Sequence, residues 1–339
     1  MKSSLLLLTA ASLCVGLSAI ELPNTAAAQT TDNQNTRVFT CKERPKDLAQ
    51  PPSRNPAGPK DLRGKETTIE AGRVTELRPL CPEGQLPVPR DFRAPKGNPF
   101  YSGTAVDAPY QYAGAWASAG GRIPLFDGGG VVTRVENPAM SAAGGTHSLF
   151  EISVQGGTGN GDIVEIGWIK NVGDAAPRLF IFHWKAWAPG CYNGCGWVQW
   201  NPGIVPGMVV NAGSESYMGW VFFEGNWWAW YANQWVGYFP GRIWGGEYTK
   251  SSLVQWFGEV YESDPTPETD MGNGRLAAVA AAARFWYPCT VDAPAWVCWI
   301  HPTPSLTTPS IPWYTILNVG GSAHRYGGPG GRAGAGLDP

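Results

Sequence analysis

From about residue 109 onward the chain alternates. In "HSLFEISVQGG", residues 147–157, apolar side chains recur at 150, 152 and 154, and glycines close the run. "GDIVEIGWIKN" (161–171), "RLFIFHWKAW" (178–187), "SYMGWVFFEG" (216–225), "NWWAWYANQWVGYFP" (226–240) and "LVQWFGEVYE" (253–262) are further short apolar and aromatic runs. Period-two patterning rich in β-branched and aromatic residues, bounded by Gly, Asn and Pro, predicts strands and turns. One segment differs: "GRLAAVAAAARF", residues 274–285, reads as a short helix or as an apolar strand of small side chains. Closely spaced strands without intervening helices predict an all-β fold, either an antiparallel sandwich or a barrel.

Composition narrows the class. Only 15% of the 339 residues are charged, against about 25% in an ordinary globular protein. The chain holds 44 Gly, 30 Pro and 17 Trp, every Trp falling between Trp116 and Trp313. The N-terminus has Lys2, an apolar run from Leu5 to Ile20, and Ala26, Ala27 and Ala28 before Gln29. That is the pattern of a signal peptide over residues 1–28. Cys14 follows Leu13, whereas a lipid-anchored signal wants a small residue there. No later stretch is long and apolar enough to span a bilayer. A soluble, monomeric protein, extracellular or periplasmic, is therefore expected, with no membrane partner.

Six cysteines remain after the signal: Cys41 and Cys81, Cys191 and Cys195, Cys289 and Cys298. An even count in an exported chain predicts disulfides, although six cysteines allow 15 connectivities. Neighbour pairing is favoured, since each pair closes a local loop. Metal binding by Cys191 and Cys195 lacks a second Cys or His set at zinc spacing.

Charge divides the remainder. Residues 29–100 carry 13 Lys plus Arg against 9 Asp plus Glu, and residues 101–339 carry 11 against 17. Residues 29–105 read as a basic, Pro-rich solvated linker or as a prosegment whose cations cover acidic groups of the body. Residues 106–317 form the body. Residues 318–339, "NVGGSAHRYGGPGGRAGAGLDP", read as a Gly-rich disordered tail. The acidic body disfavours nucleic acid. No strand–glycine–helix unit suits a nucleotide, and the four histidines, His147, His183, His301 and His324, neighbour no nucleophile motif.

Carboxylates are what is left. Glu165 in "DIVEIGWI" and Glu259 in "QWFGEVY" sit inside strongly apolar strands, each near a glycine. By strand parity Glu165 shares a face with Ile163, Gly167 and Ile169, and Glu259 with Gln255, Phe257 and Tyr261. A solvent-facing surface is the simpler account of either residue alone. If the two face each other, like-charge repulsion separates their proton affinities, so that one activates water while the other donates a proton. Glu151 in "LFEISV" competes for the same role. Gly167 and Gly258 are read as room beside the acids.

The succession "HSLFEISV", "VEIGWIKN", "PRLFIFHWKAWAPGCYNGCGWVQ", "EGNWWAWYANQWVGYFP", "VQWFGEV" and "MGNG" resembles the neprosin family over roughly residues 108–290. The resemblance implies an antiparallel β-sandwich of two large sheets with a cleft, and a glutamic endopeptidase that cleaves after proline. It implies a catalytic pair at Glu165 and Glu259, acid activity, processing from a precursor, and neither metal nor organic cofactor. Peptides or proteins containing proline are then the expected substrates. Glu151 stands where the family is expected to have Gln. A proline pocket is expected to be shallow, aromatic and uncharged. Trp168, Tyr217, Trp227, Trp228 and Tyr238 are candidate walls, with Gln199 and Asn226 candidate oxyanion donors. Two rival readings are a β-sandwich glycoside hydrolase and a non-catalytic carbohydrate or cell-wall binding module.

Overall fold

A computed structural model describes residues 39–56, 58–60, 78–89, 110–121, 123–142, 145–156, 161–262, 268–309 and 311–331. The signal-peptide expectation for residues 1–28 lies outside them. In chain order the strands are β1 (Phe39–Glu43), β2 (Pro59–Lys60), β3 (Gln85–Pro89), β4 (Tyr110–Ser118), β5 (Gly128–Arg134), β6 (Gly145–Gly156) and β7 (Ile163–Asn171). Then come β8 (Arg178–Lys185), β9 (Ala188–Pro189), β10 (Val198–Gln199), β11 (Glu215–Phe223), β12 (Asn226–Tyr231), β13 (Gln234–Pro240) and β14 (Ser251–Glu262). The last are β15 (Ala283–Asp292), β16 (Val297–Ile300), β17 (Ser305–Thr307), β18 (Thr315–Gly320) and β19 (Ala323–Gly327).

Apart from β1 and β3, which pair with each other in a small two-stranded sheet, these strands form two large open sheets, as expected for a sandwich rather than a barrel. One has seven strands in the order β17-β4-β14-β6-β7-β8-β9, all antiparallel. The other has ten, running β10-β13-β12-β11-β5-β15-β16-β2, with β19 and then β18 attached to β15. Among the described residues its single parallel pairing joins β16 to β2. Alternation sends Phe150, Ile152 and Val154 of β6, and Val164, Ile166 and Trp168 of β7, into the core between the sheets. There they meet Met218 and Trp220 of β11, Trp227 of β12 and Phe239 of β13. Each such side chain, fully buried, contributes about 1.5–3 kcal/mol. Trp256 of β14 ties the layers together by donating its Nε1–H to the Gly130 carbonyl of β5 at 3.0 Å.

The three disulfides are Cys41–Cys81, Cys191–Cys195 and Cys289–Cys298, the neighbour pairing. Residues 39–56 and 78–89 pack on the outer face of the ten-stranded sheet, and residues 58–60 carry β2, which joins its edge beside β16. Trp235 and Trp296 donate their indole N–H groups to the carbonyls of Arg54 and Asn55 at 3.0 and 2.8 Å. Tyr238 accepts from the Ala49 N–H, and the Arg44 guanidinium lies 4.6 Å from the Trp200 ring.

Two expectations fail. Residues 274–285 form neither a helix nor one apolar strand. They run in turns until β15 begins at Ala283, with Asn273 Oδ1 accepting from the N–H groups of Arg275 and Ala283. An alanine run this short lacks the length and the apolar face that would sustain a helix. The Gly-rich tail is not disordered from 318 onward: β18 and β19 make a hairpin through Gly320 (φ 86°) and Gly321 (φ 60°). Tyr326 anchors that hairpin in the inter-sheet core.

Candidate active site

Glu165, Glu151 and Glu259 share the outer face of the seven-stranded sheet. The register places them in successive rows. Across β7, β6, β14 and β4, the first row is Glu165, Ser153, Gln255 and Trp116. The second is Gly167, Glu151, Phe257 and Gly114; the third is Ile169, Leu149, Glu259 and Tyr112. The fourth is Asn171, His147, Tyr261 and Tyr110. The three carboxylates thus descend diagonally, with Glu151 on the central strand between the other two. Diagonal neighbours on antiparallel strands lie about 7–8 Å apart at the backbone, within reach of long side chains.

This face points away from the other sheet but is not open to water. Glu151, Glu165 and Glu259 are only 3, 4 and 7% exposed. Trp184, Phe182, Leu149 and Ile169 cluster around them with Tyr192, whose ring lies 5.6 and 4.9 Å from those of Phe180 and Phe182. The solvent-facing reading of these glutamates therefore does not hold.

Burial sets the electrostatics. Burial pushes the Glu165 carboxyl up to about 8, opposed by a hydrogen bond from Trp184 Nε1–H to Oε2 at 3.1 Å and assisted by the charge of Glu259. Burial also raises Glu151 well above the carboxylate range, helped by Glu165 and then Glu259. The Glu165 Oε1 atom has no hydrogen-bond partner among the described residues. Glu259 differs: its Oε1 meets His147 Nε2 at 2.6 Å. The Tyr192 phenol is held neutral by burial and then by the charges of Glu259, Glu151 and Glu165, which places it in the field of all three.

Tyrosines and Phe257 continue the surface past Glu259. Tyr110 packs edge-on against Tyr261 at 4.4 Å, and Phe257 edge-on against Tyr112 at 5.6 Å. Tyr112, Gly114, Ala115, Gln255, Phe257 and Thr307 line a small pocket here.

The seven residues expected to line the proline pocket or to bind the oxyanion lie elsewhere. Trp168, three positions from Glu165, points into the inter-sheet core, where Trp227 joins it from β12. Tyr217, Trp228 and Tyr238 belong to a separate cluster on the ten-stranded sheet. Gln199 is consumed by structure: its Nε2 donates to the carbonyls of Asn201, Ile204 and Val236, and its Oε1 accepts from Trp197. Asn226 holds the Glu224 carbonyl in a turn. The glycines also serve packing rather than a ligand. A Cβ on Gly167 would lie 2.0 Å from the Phe150 carbonyl oxygen, and one on Gly258 would lie 2.5 Å from the Tyr326 ring. Nor do the described parts of the basic segment cover the acids. They dock on the opposite sheet, and among the described residues none of their cations meets the three glutamates.

His147, Tyr110, Tyr112 and Tyr192 were not singled out by sequence reasoning. Tyr192 had a signal, its bracket of Cys191 and Cys195. His147 had one only in its parity with Glu151.

Residues 144–287 match the family model described as Neprosin, a span that contains all three glutamates and His147. This part of the chain is similar to the neprosin family. Among solved structures it is similar to SCP-B, a member of the Eqolisin family of peptidases complexed with the tripeptide Ala-Ile-His. The identity is 12% and the TM-score 0.41, over 64% of this chain and 97% of that one. It is similar to the same degree to scytalido-glutamic peptidase bound to a transition-state analog inhibitor, at 12% identity, TM-score 0.41 and the same coverage. Sheep galectin-11 in complex with glycerol matches at 13% identity and TM-score 0.25, over 47% of this chain and 97% of that one.

Proposed function

We propose that this neprosin-like protein is a secreted glutamic endopeptidase that works in acid and cleaves after proline, with Glu165 and Glu259 as its catalytic pair. The observation that carries the reading is the joint burial of these two glutamates on one sheet face, within each other's electrostatic reach. A carboxyl with a raised proton affinity stays protonated through the acidic range and serves as a general acid, while an ionised partner takes a proton from water. The family resemblance points to the same two positions.

Proline selectivity is supported by the uncharged lining of the pocket beside Glu259. Tyr112 and Phe257 offer ring faces to a compact, N–H-less residue, and Gln255 adds a buried Oε1 without a partner among the described residues. Secretion is supported by the signal pattern at residues 1–28 and by three disulfides, which persist in oxidising compartments.

The test is cleavage of a proline-containing quenched fluorescent peptide from pH 2 to 8 by wild type, Glu165→Gln and Glu259→Gln, with products identified by mass spectrometry. Cutting after proline in acid, lost in both variants, is the expected result. A folded wild type that cuts no peptide at any pH, even after removal of residues 29–105, refutes the proposal and returns the question to glycans.

A further inference from the structure

We propose that His147 is a positioning residue that makes Glu259 the water-activating base and leaves Glu165 as the proton donor. The inference rests on the peptidase reading and deepens it by dividing the two roles.

The first support is geometric. His147 and Glu259 are diagonal neighbours on β6 and β14, and their Nε2 and Oε1 atoms are 2.6 Å apart. Both are buried, His147 to 2% exposure. The imidazole is walled in by Tyr261, whose ring lies 5.8 Å away at an interplanar angle of 22°, and by Tyr110 at 6.3 Å. It is held where it is by packing, so the contact orients the carboxylate.

The second support is the charge census of the face. Glu259 is faced by Glu151 from β6, Glu165 from β7, Tyr110 and Tyr112 from β4, Tyr261 from its own strand, and Tyr192 from the Cys191–Cys195 loop. Burial, followed by the charge of Glu259, keeps the phenols of Tyr110, Tyr112 and Tyr192 protonated. Among the described residues His147 is the one side chain of this set able to bear positive charge. Three carboxylates this close do not all ionise, and the one facing an imidazolium does so at the lowest cost. A protonated imidazole has two N–H donors and no acceptor, so in acid the 2.6 Å contact is a donation to a carboxylate oxygen. Glu165 has the complementary surroundings: a neutral indole donor on Oε2, and an Oε1 without a partner among the described residues, placed to carry the proton.

The proton balance closes. Glu259 takes a proton from water as the water oxygen bonds to the peptide carbon, and Glu165 gives its proton to the carbonyl oxygen. On collapse, Glu259 passes its proton to the leaving nitrogen as the C–N bond breaks. Glu165 recovers its own from the hydroxyl that becomes the new carbonyl.

The test compares wild type, His147→Phe and His147→Gln. Loss of the donor in His147→Phe is expected to lower kcat about ten- to a hundredfold with KM nearly unchanged, and to move the acidic limb of the kcat profile to higher pH. His147→Gln, which keeps an N–H donor without the charge, is expected to recover part of kcat. An unaltered pH profile in an active His147→Phe overturns the proposal while leaving the peptidase reading intact. A wild type inactive on peptides removes both. A readout independent of turnover is the 15N NMR spectrum of the His147 imidazole at one fixed pH in wild type and in Glu259→Gln. Loss of the 2.6 Å contact is expected to change the Nε2 signal, and an unchanged Nε2 signal overturns the pairing even if a His147 variant fails to fold.

Discussion

Replacing Glu165 by Gln tests whether the proposed acid destabilises the fold that holds it. The wild-type carboxyl is pushed up to about 8 by burial, against an ordinary value of 4.5. The folded state therefore binds a proton more tightly than the unfolded chain. That contribution is fully present below pH 4.5 and is lost as pH rises through about 8. At about 1.36 kcal/mol per unit, the span sets a ceiling of about 5 kcal/mol between those limits, which sharing of protons with Glu151 and Glu259 lowers. Gln is neutral at every pH, and its amide keeps an oxygen for the Trp184 N–H, so Glu165→Gln escapes the penalty. With about 2–4 °C per kcal/mol for a domain of this size, the variant is expected to melt several degrees above wild type at pH 8 and close to wild type at pH 4, while losing peptidase activity. The assay is calorimetry or fluorescence melting from pH 4 to 8. A Tm difference that does not change with pH refutes the electrostatic argument. A variant less stable than wild type at pH 8 refutes it more directly.

The buried histidines act in the opposite sense. His324 is stacked on Phe285 at 4.8 Å, neither of its ring nitrogens has a partner among the described residues, and burial lowers it to about 4. Its neutral form is stabilising above pH 6.5, and the benefit is lost as pH falls towards 4, by up to about 3 kcal/mol. His324→Phe is accordingly expected to raise Tm more at pH 4 than at pH 7, and an equal shift at both values argues against it. Gly258→Ala would press a methyl into the Tyr326 ring at 2.5 Å. An overpacking cost of about 1–3 kcal/mol is expected in a denaturant melt, and no loss would show that β19 moves aside.

How much of this was legible depends on the range of the signal. Strand parity is local, so Glu165 and Glu259 could be placed on faces from their neighbours, and the same parity would have removed Trp168 from the pocket. The meeting of Glu151, Glu259 and His147 is set by the register of β6 against β14, 112 residues apart between His147 and Glu259. No local pattern encodes that offset. Tryptophans occur on both faces of the ten-stranded sheet, so composition could not tell Trp227 in the core from Trp228 outside it. The tail misled because its glycines hide a short alternation: His324 and Tyr326 face the core, while Arg325 between them does not.

The docking of residues 39–56, 58–60 and 78–89 on the ten-stranded sheet changes what maturation by proteolysis would accomplish. Their disulfide, Cys41–Cys81, is internal to this stretch, and neither of the others reaches it. A single cut between residues 90 and 109 would leave a nicked particle: two polypeptides, one native peak, two bands after denaturation without reductant. Departure of the smaller piece would then be a dissociation into two molecules, governed by dilution, by the β2–β16 pairing and by the tryptophan–carbonyl contacts to Arg54 and Asn55 rather than by the protease that made the cut.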